Sequence, residues 1–82
     1  MSSENEERIV TIVAEVFEMI KKDVTRDKDF VKDFKAKSIK IIEMCAMIED
    51  EFDIEIDMEE ARKNATVGEA IDYTLELIDA QQ

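Results

Sequence analysis

A serine surrounded by lysines is the feature of this sequence that best suits the binding of an anion. Ser38 opens an amphipathic stretch, and residues 28–40 contain five lysines and two aspartates, a local charge of +3 in a chain of formal net charge −11. Backbone N–H groups at the start of a helix carry partial positive charge. A hydroxyl at that position, with ammonium groups around it, therefore suits a covalently attached phosphate.

The helix start predicted at Ser38 differs from the other three predicted starts. Those three carry a capping-box pattern, in which a hydroxyl or carboxylate residue is followed three positions later by Glu. The pairs are Ser3 with Glu6, Asp57 with Glu60, and Thr66 with Glu69. After Ser38 the corresponding residue is Ile41, so no internal carboxylate faces the positive end of that helix. A simpler alternative is that Ser38 is only an N-cap, worth about 1 kcal/mol.

The segments around these starts predict an all-α fold. The chain has no Pro, one Gly and 40% charged residues, a composition that favours helices over tightly turned sheets. Apolar residues recur at helical spacing over about residues 3–20, 38–52 and 66–80, and a short helix is expected over 58–63. We therefore expect a small four-helix bundle of three longer helices and one short helix, forming a single domain over 1–82.

The connection between the first two helices is predicted to be a long packed loop. Residues 21–37 lose the helical period and allow one helical turn at most. Val24, Phe30, Val31 and Phe34 are the residues expected to hold this loop on the core. The first helix is expected to keep an inward apolar stripe as far as Ile20, and Thr74 falls on the inward stripe of the last helix.

A second apolar group lies on the outer face of the predicted second helix. Its residues and the acids beside them are Ile39, Ile42, Glu43, Ala46, Glu49 and Asp50. Aliphatic side chains next to carboxylates suit a partner with an apolar groove and a basic rim. Scattered surface aliphatics are also normal on monomers, so the pattern alone leaves both interpretations open.

The composition excludes several classes of function. A domain of 82 residues buries only about 60–65% of its unfolded surface, which leaves no room for an enclosed substrate chamber, so we do not expect an enzyme. The negative charge disfavours nucleic acid, and no apolar run is long enough for membrane insertion. The absence of His and a single cysteine, Cys45, disfavour a metal site and exclude an internal disulfide. We expect a cytoplasmic location, because the acidic first residues lack the pattern of a signal peptide. We also expect a monomer.

Three segments resemble the acyl carrier protein family, and the match runs ungapped over nearly the whole chain. They are residues 29–39 (DFVKDFKAKSI), 48–57 (IEDEFDIEID) and 66–73 (TVGEAIDY). In that family a Ser in an Asp-Ser-Leu motif receives 4′-phosphopantetheine from coenzyme A, and the thiol of this arm carries acyl chains as thioesters. Ser38 is the matching residue. The resemblance implies an acyl-carrier-like bundle with 4′-phosphopantetheine as its cofactor.

The residues around Ser38 then have expected roles. Because of their positive charge, Lys35, Lys37 and Lys40 would help to hold the phosphodiester of the arm. The other roles are implied by the resemblance. The outer face of the second helix would bind a phosphopantetheinyl transferase and acyl-transferring or synthase enzymes with basic patches. An apolar interior would shelter the acyl chain, and its expected lining is Phe30, Phe34, Ile41, Met44, Cys45, Met47 and Ile48.

The lysines are also where the sequence departs from the family pattern. Lys37 replaces the Asp before the serine, Lys35 replaces a common Gly, Lys40 replaces an acid, and Ile39 replaces Leu. Like charges would repel the basic residues of a generic partner. We interpret the chain as a carrier specialised for a dedicated fatty-acid, lipid or secondary-metabolite pathway. Its lysines would prevent the housekeeping fatty-acid enzymes from binding it.

Two other interpretations stay open. An unmodified acidic adaptor or regulatory module would use the same second-helix face, and Lys37 in place of Asp is its main support. A carrier of aminoacyl or polyketide-type cargo would share the modification of Ser38 and differ only in what it carries.

Overall fold

Four α-helices make up the regular structure of residues 3–82, the part of the chain that the computed structural model describes. They are α1 (Ser3–Phe17), α2 (Ser38–Phe52), α3 (Met58–Ala61) and α4 (Val67–Gln81), with a 3-10 turn at Lys21–Asp23. No strand occurs in these residues. The predicted all-α bundle, with its long first loop and its short third helix, is confirmed.

The first helix ends three residues earlier than its apolar period predicts. Glu18 adopts a left-handed conformation at φ 56°, and the Met19 N–H donates to the Ala14 carbonyl over 2.8 Å. This is a Schellman-type helix end, built with Glu where Gly is usual. Ile20 therefore lies outside α1 with 64% of its surface exposed, and its predicted place in the apolar stripe is wrong. The cap predicted at Ser3 concerns a side chain outside the described residues.

The core lies where α1, α2 and α4 meet. Its largest fully buried side chains come from all three helices: Ile9, Val13, Ile48, Val67 and Ile71. Full burial of one such aliphatic side chain favours folding by about 1.5–3 kcal/mol. The contacts therefore fix α2 with one face inward, and leave its opposite face in solvent.

The first loop is held to the core by aromatic packing. The ring of Phe34 lies 5.2 Å from that of Phe17 and 5.9 Å from that of Phe30, centroid to centroid. Val24 and Phe30 are buried, as predicted, whereas Val31 is exposed and does not help to hold the loop, which corrects the expectation for that residue. The aromatic cluster therefore holds the part of the loop that leads into α2 against the end of α1.

Backbone hydrogen bonds attach the same loop to the start of α4. The Phe30 N–H donates to the Ala65 carbonyl over 3.0 Å, and the Val67 N–H donates to the Lys28 carbonyl over 2.9 Å. Such paired bonds satisfy polar groups that would otherwise be buried without partners. The segment that leads into α2 is therefore positioned by α4.

Arg26 and Gly68 form a second attachment between the first loop and α4. The Arg26 guanidinium donates to Asp72 over 2.8 Å and also pairs with Glu6 of α1 at 3.3 Å. A Cβ atom on Gly68 would lie 3.1 Å from the Arg26 carbonyl oxygen, closer than side chains normally pack. The glycine thus permits a close approach of the two backbones.

Candidate functional site

The start of α2 has no side-chain cap. Lys37 occupies the N-cap position in an extended conformation (φ −103°, ψ 164°), makes no capping hydrogen bond, and no acid lies in the first turn. Ser38 is the first helical residue and is exposed. The alternative in which Ser38 serves as the N-cap is therefore wrong, since Lys37 holds that position. The positive end of the helix is open to an external anion.

The loop before Ser38 is shaped by two aspartates. The Asp29 carboxylate accepts hydrogen bonds from the N–H groups of Val31 and Lys32, both at 2.9 Å, and Asp33 accepts from the Asp29 N–H at 2.7 Å. These hydrogen bonds stabilise the charged carboxylate and so lower the pKa of Asp29, and the bond from the Lys32 N–H has the larger effect. The loop closes with the Ala36 N–H on the Phe30 carbonyl at 2.9 Å. The position of Ser38 is therefore set by a hydrogen-bonded loop over residues 29–36.

The three predicted phosphate-holding lysines have different environments. Lys35 is exposed and adopts a left-handed conformation at φ 55°. Glycine adopts this conformation most easily, and glycine is common at this position in the family that the sequence resembles. Lys37 is exposed beside Ser38. Lys40 is half-buried, and its ammonium group pairs with Glu43 one turn along α2 at 3.6 Å. Two of these cations are thus in solvent, and the third is shared with a carboxylate of the outer face.

An apolar cavity opens beside Ser38. It has a volume of about 410 Å³ and lies between α2, α3, α4 and the first loop. Five of the predicted lining residues border it: Phe30, Ile41, Met44, Cys45 and Ile48. Ser38 lies on its border, so the hydroxyl and the cavity belong to one site. The volume is within the range of small-molecule pockets, about 300–1,000 Å³.

Two residues predicted for the lining do not border this cavity. Phe34 belongs to the aromatic cluster with Phe17, and Met47 packs against the core while half-buried. The remaining walls come from parts of the chain that the sequence pattern did not assign to the cavity. They include Ile56, Met58, Ala61, Ala70, Tyr73 and Thr74. The inward stripe of the last helix contained a signal for Thr74, but no spacing rule indicated that α3 closes the cavity.

Cys45 is a buried thiol on the α2 wall of the cavity. Burial raises the pKa of the thiol, and the nearby Glu49 carboxylate raises it further. The raised pKa keeps the thiol protonated at neutral pH. Because the thiolate is the nucleophilic form, Cys45 is unreactive there. We therefore assign Cys45 no redox or nucleophilic role.

The outer face of α2 presents most of the residues predicted to meet a partner. Ile39 and Ile42 are 69% and 45% exposed. They lie one turn apart on the same helix, so they form a pair on its surface. Glu43, Ala46 and Asp50 are exposed beside them. The structure therefore brings these five side chains together on one accessible surface.

Glu49 is the exception among the predicted partner-binding residues. It is half-buried, and its carboxylate accepts a hydrogen bond from the Ile56 N–H at 2.8 Å. Glu51, two residues further along α2, is paired with Arg8 of α1 at 2.8 Å. The carboxylate of Glu49 therefore holds the loop after α2, and has one oxygen fewer to offer to a partner.

Two kinds of feature are missing from residues 3–82. No helix there has both the length and the apolar character needed to cross a membrane. No group of three or more carboxylate or thiol side chains in the same residues is placed so that it could hold a metal ion. The expectations about membrane insertion and metal binding stay predictions.

Comparison with known proteins shows similarity to one family model and to solved structures. The family model described as a phosphopantetheine attachment site matches residues 7–74 of this chain. Among solved structures, an acyl carrier protein from Enterococcus faecalis is similar, with 32% sequence identity and a TM-score of 0.77. The similarity covers 94% of this chain and 98% of that protein.

Proposed function

The chain belongs to the acyl carrier protein family, whose cofactor is 4′-phosphopantetheine, and on that premise we propose that Ser38 is the attachment residue. The domain is a carrier and has no catalytic activity of its own. The observation that carries the proposal is the position of Ser38, an exposed hydroxyl at an uncapped helix start on the border of an apolar cavity. Acyl groups would be held as thioesters on the arm.

The start of α2 is suited to the phosphodiester that attachment creates. In the transfer, the Ser38 oxygen loses its proton and forms a bond to the phosphorus of coenzyme A that bears the pantetheine arm. The pyrophosphate linkage breaks, and adenosine 3′,5′-bisphosphate leaves. The product places a permanent negative charge next to open backbone N–H groups and the exposed Lys37. Charge-assisted hydrogen bonds and the helix dipole both stabilise an anion there. Lys35 and Lys40 would add attraction at longer range.

The cavity is suited to an acyl chain attached to that arm. Its walls are mostly aliphatic side chains and the thioether groups of Met44 and Met58, which adapt to irregular shapes. The border at Ser38 gives the arm a direct way to fold its acyl end inward. Burial of apolar surface would favour this arrangement by about 25 cal/mol per Å².

The outer face of α2 is the proposed docking surface for the enzymes that load and use the arm. Ile39, Ile42 and Ala46 would enter an apolar groove, and Glu43 and Asp50 would meet basic residues on its rim. These partners are a phosphopantetheinyl transferase and acyl-transferring or synthase enzymes. We assign Glu49 a smaller part in docking because its carboxylate is engaged by Ile56.

The lysines beside Ser38 support a carrier with dedicated partners. Lys35 and Lys37 are exposed on the side of the site that a transferase or synthase must approach, and both are positive where the family pattern has Gly and Asp. A generic partner with a basic rim would meet like charge at this point, which can cost several kcal/mol at an interface. We therefore place the protein in a specialised fatty-acid or related lipid or secondary-metabolite pathway.

Intact-mass measurement tests the attachment. The purified protein is incubated with coenzyme A, magnesium and a broad-specificity phosphopantetheinyl transferase, beside the variants Ser38→Ala and Ser3→Ala. We expect one phosphopantetheinyl group on the wild type and on Ser3→Ala, and none on Ser38→Ala. No gain with a panel of transferases that includes the host's own would overturn the proposal.

The second candidate function is an unmodified adaptor that binds through the same α2 face. The exposed aliphatics Ile39 and Ile42 favour it as much as they favour a carrier, because they offer a binding surface whether or not Ser38 is modified. Ser38→Ala separates the two functions. An adaptor would keep its affinity for a native partner in this variant, whereas a carrier would lose productive acyl transfer.

A further inference from the structure

The cavity beside Ser38 has a buried polar group on its α4 wall. Thr74 of α4 is 2% exposed and borders the cavity, and it is the buried polar residue among those that the structure describes. A threonine in a helix commonly donates to the carbonyl four residues earlier, as Thr11 does to Glu7 over 3.0 Å. Thr74 would therefore be expected to bond to Ala70 if its hydroxyl served only the helix.

The Thr74 hydroxyl has no protein partner among residues 3–82. The side-chain hydrogen bonds of α4 are made instead by Glu69, Asp72, Tyr73 and Gln81. At the same time, no buried side-chain oxygen or nitrogen in the described residues is both enclosed and unpartnered. The Thr74 oxygen must therefore reach the space of the cavity, where a guest molecule can contact it.

Other polar residues border the same space, among them Cys45 and Tyr73. Cys45 faces the cavity from α2, and Tyr73 borders it from α4. The Tyr73 hydroxyl reaches the Asp57 carbonyl only at 3.4 Å, longer than a good hydrogen bond between oxygens. Burial is the main cause that raises the pKa of Tyr73, and the charges of Asp57 and Glu60 add to it.

A saturated hydrocarbon chain is a poor match for this wall. If it filled the cavity, it would displace the water that can reach Thr74 and leave the hydroxyl unpaired, which costs affinity. A chain that carries an oxygen at the right position would instead replace that water. We propose that the cavity is adapted to acyl chains with a hydroxyl or keto oxygen, which pairs with Thr74. The inference rests on the proposed function, because it concerns the cargo of the same arm.

The test uses free pantetheine thioesters and the unmodified protein, so that it does not depend on attachment at Ser38. The probes are octanoyl-pantetheine and its analogues with one hydroxyl on the third, fifth or seventh carbon. Binding is followed by NMR through the backbone amides of Cys45 and Thr74. In the wild type we expect at least one hydroxylated probe to bind roughly threefold or more tightly than the plain probe.

Three variants show whether the Thr74 hydroxyl causes the preference. Thr74→Val keeps the shape and should shift the ratio of affinities toward the plain probe by roughly fivefold to tenfold. Thr74→Ser should keep the wild-type preference, and so should Thr11→Val, the matched control on α1. The inference is overturned if the wild type and Thr74→Val show the same ratio for every probe, or if no probe binds. Failure of attachment would appear separately, in the mass of the protein treated with coenzyme A.

Discussion

The starts of α2 and α4 have almost the same backbone and opposite side-chain chemistry. Both helices have 15 residues, and their N-cap residues adopt φ −103°, ψ 164° at Lys37 and φ −113°, ψ 162° at Thr66. At α4 the Thr66 hydroxyl accepts from the Glu69 N–H over 3.2 Å. The Glu69 carboxylate in turn accepts from the N–H groups of Thr66 and Ala65, at 3.3 and 2.7 Å. At α2 no side chain does this work.

The start of α4 is thus stabilised by its own side chains, whereas the start of α2 is left without a cap. A capped start is worth about 1 kcal/mol to a helix, and α2 forgoes it although its backbone could hold a cap. The end that lacks a cap borders the apolar cavity and carries an exposed serine. The missing cap at α2 is what a covalently attached phosphate would supply.

The largest expected effect concerns the charge at the open end. Changing Lys35, Lys37 and Lys40 to acids should remove repulsion toward a generic partner with a basic rim, and so raise acyl transfer by a generic fatty-acid synthase. We expect an increase of about tenfold in apparent kcat/KM, measured with the phosphopantetheine-loaded protein as the varied substrate.

The matched control has the same net charge with the changes placed elsewhere. Lys21, Lys22 and Lys63 are exposed lysines outside the α2 start, and their reversal alters the total charge equally. If both triple variants raise the rate alike, the effect comes from total charge, and the specific role of the three lysines beside Ser38 is wrong. Unchanged turnover in the first variant would also contradict it.

The second prediction compares the two starts by their stability. Thr66→Ala removes a cap that the structure shows in use and should lower the free energy of unfolding by about 1 kcal/mol. Lys37→Ala removes a side chain that caps nothing and should change stability by less than about 0.5 kcal/mol. Urea unfolding followed by circular dichroism measures both. Equal losses would show that the two starts are not different in the way described.

Much of the site could be predicted from the sequence because it follows from helical period. The α2 bounds, the inward position of Met44 and Ile48 and the outward position of Ile39 and Ile42 all come from that period. The capping box at α4 was also predicted, since its residues are local in sequence. Local patterns were enough wherever one helix decides both what is buried and what is exposed.

The remaining features depend on contacts between distant segments or on backbone angles. Phe34 was predicted to line the cavity but packs on Phe17, because the path of the first loop is set by its bonds to α4. Glu49 was predicted to face a partner, yet it accepts from Ile56 in the next loop. The early end of α1 depends on a left-handed Glu18, where the sequence has no Gly to signal it.

The third prediction concerns strain in the loop that leads to the open start. Lys35 holds a left-handed conformation at φ 55°, which an L-residue with a Cβ adopts at a cost. Lys35→Gly should therefore raise the free energy of unfolding by about 0.5–1 kcal/mol, net of the greater freedom of Gly in the unfolded chain. Lys37→Gly is the control, because Lys37 has φ −103° and has no such strain to relieve. If both variants lose stability equally in urea, Lys35 is not strained.

The smallest expected effect is a pH dependence at the point where the two helix starts are joined. Asp29 pairs with Thr66 in an antiparallel bridge, and its carboxylate accepts from the N–H groups of Lys32 and Val31 in the loop that leads to α2. These bonds lower its pKa in the folded state. The stability they give is therefore present above the unfolded pKa of about 3.9 and is lost as the pH falls through the folded value.

Asp29→Asn keeps an acceptor oxygen but cannot titrate, so its unfolding free energy should decline less than that of the wild type as the pH falls from about 5 to about 3. Asp79→Asn removes an equal charge from an exposed position on α4 and controls for the general relief of repulsion in this acidic chain. Urea titrations at each pH give the comparison. If Asp29→Asn and Asp79→Asn decline in parallel, the carboxylate of Asp29 does not stabilise the loop, and the path into α2 must be fixed by the backbone bonds to α4 alone.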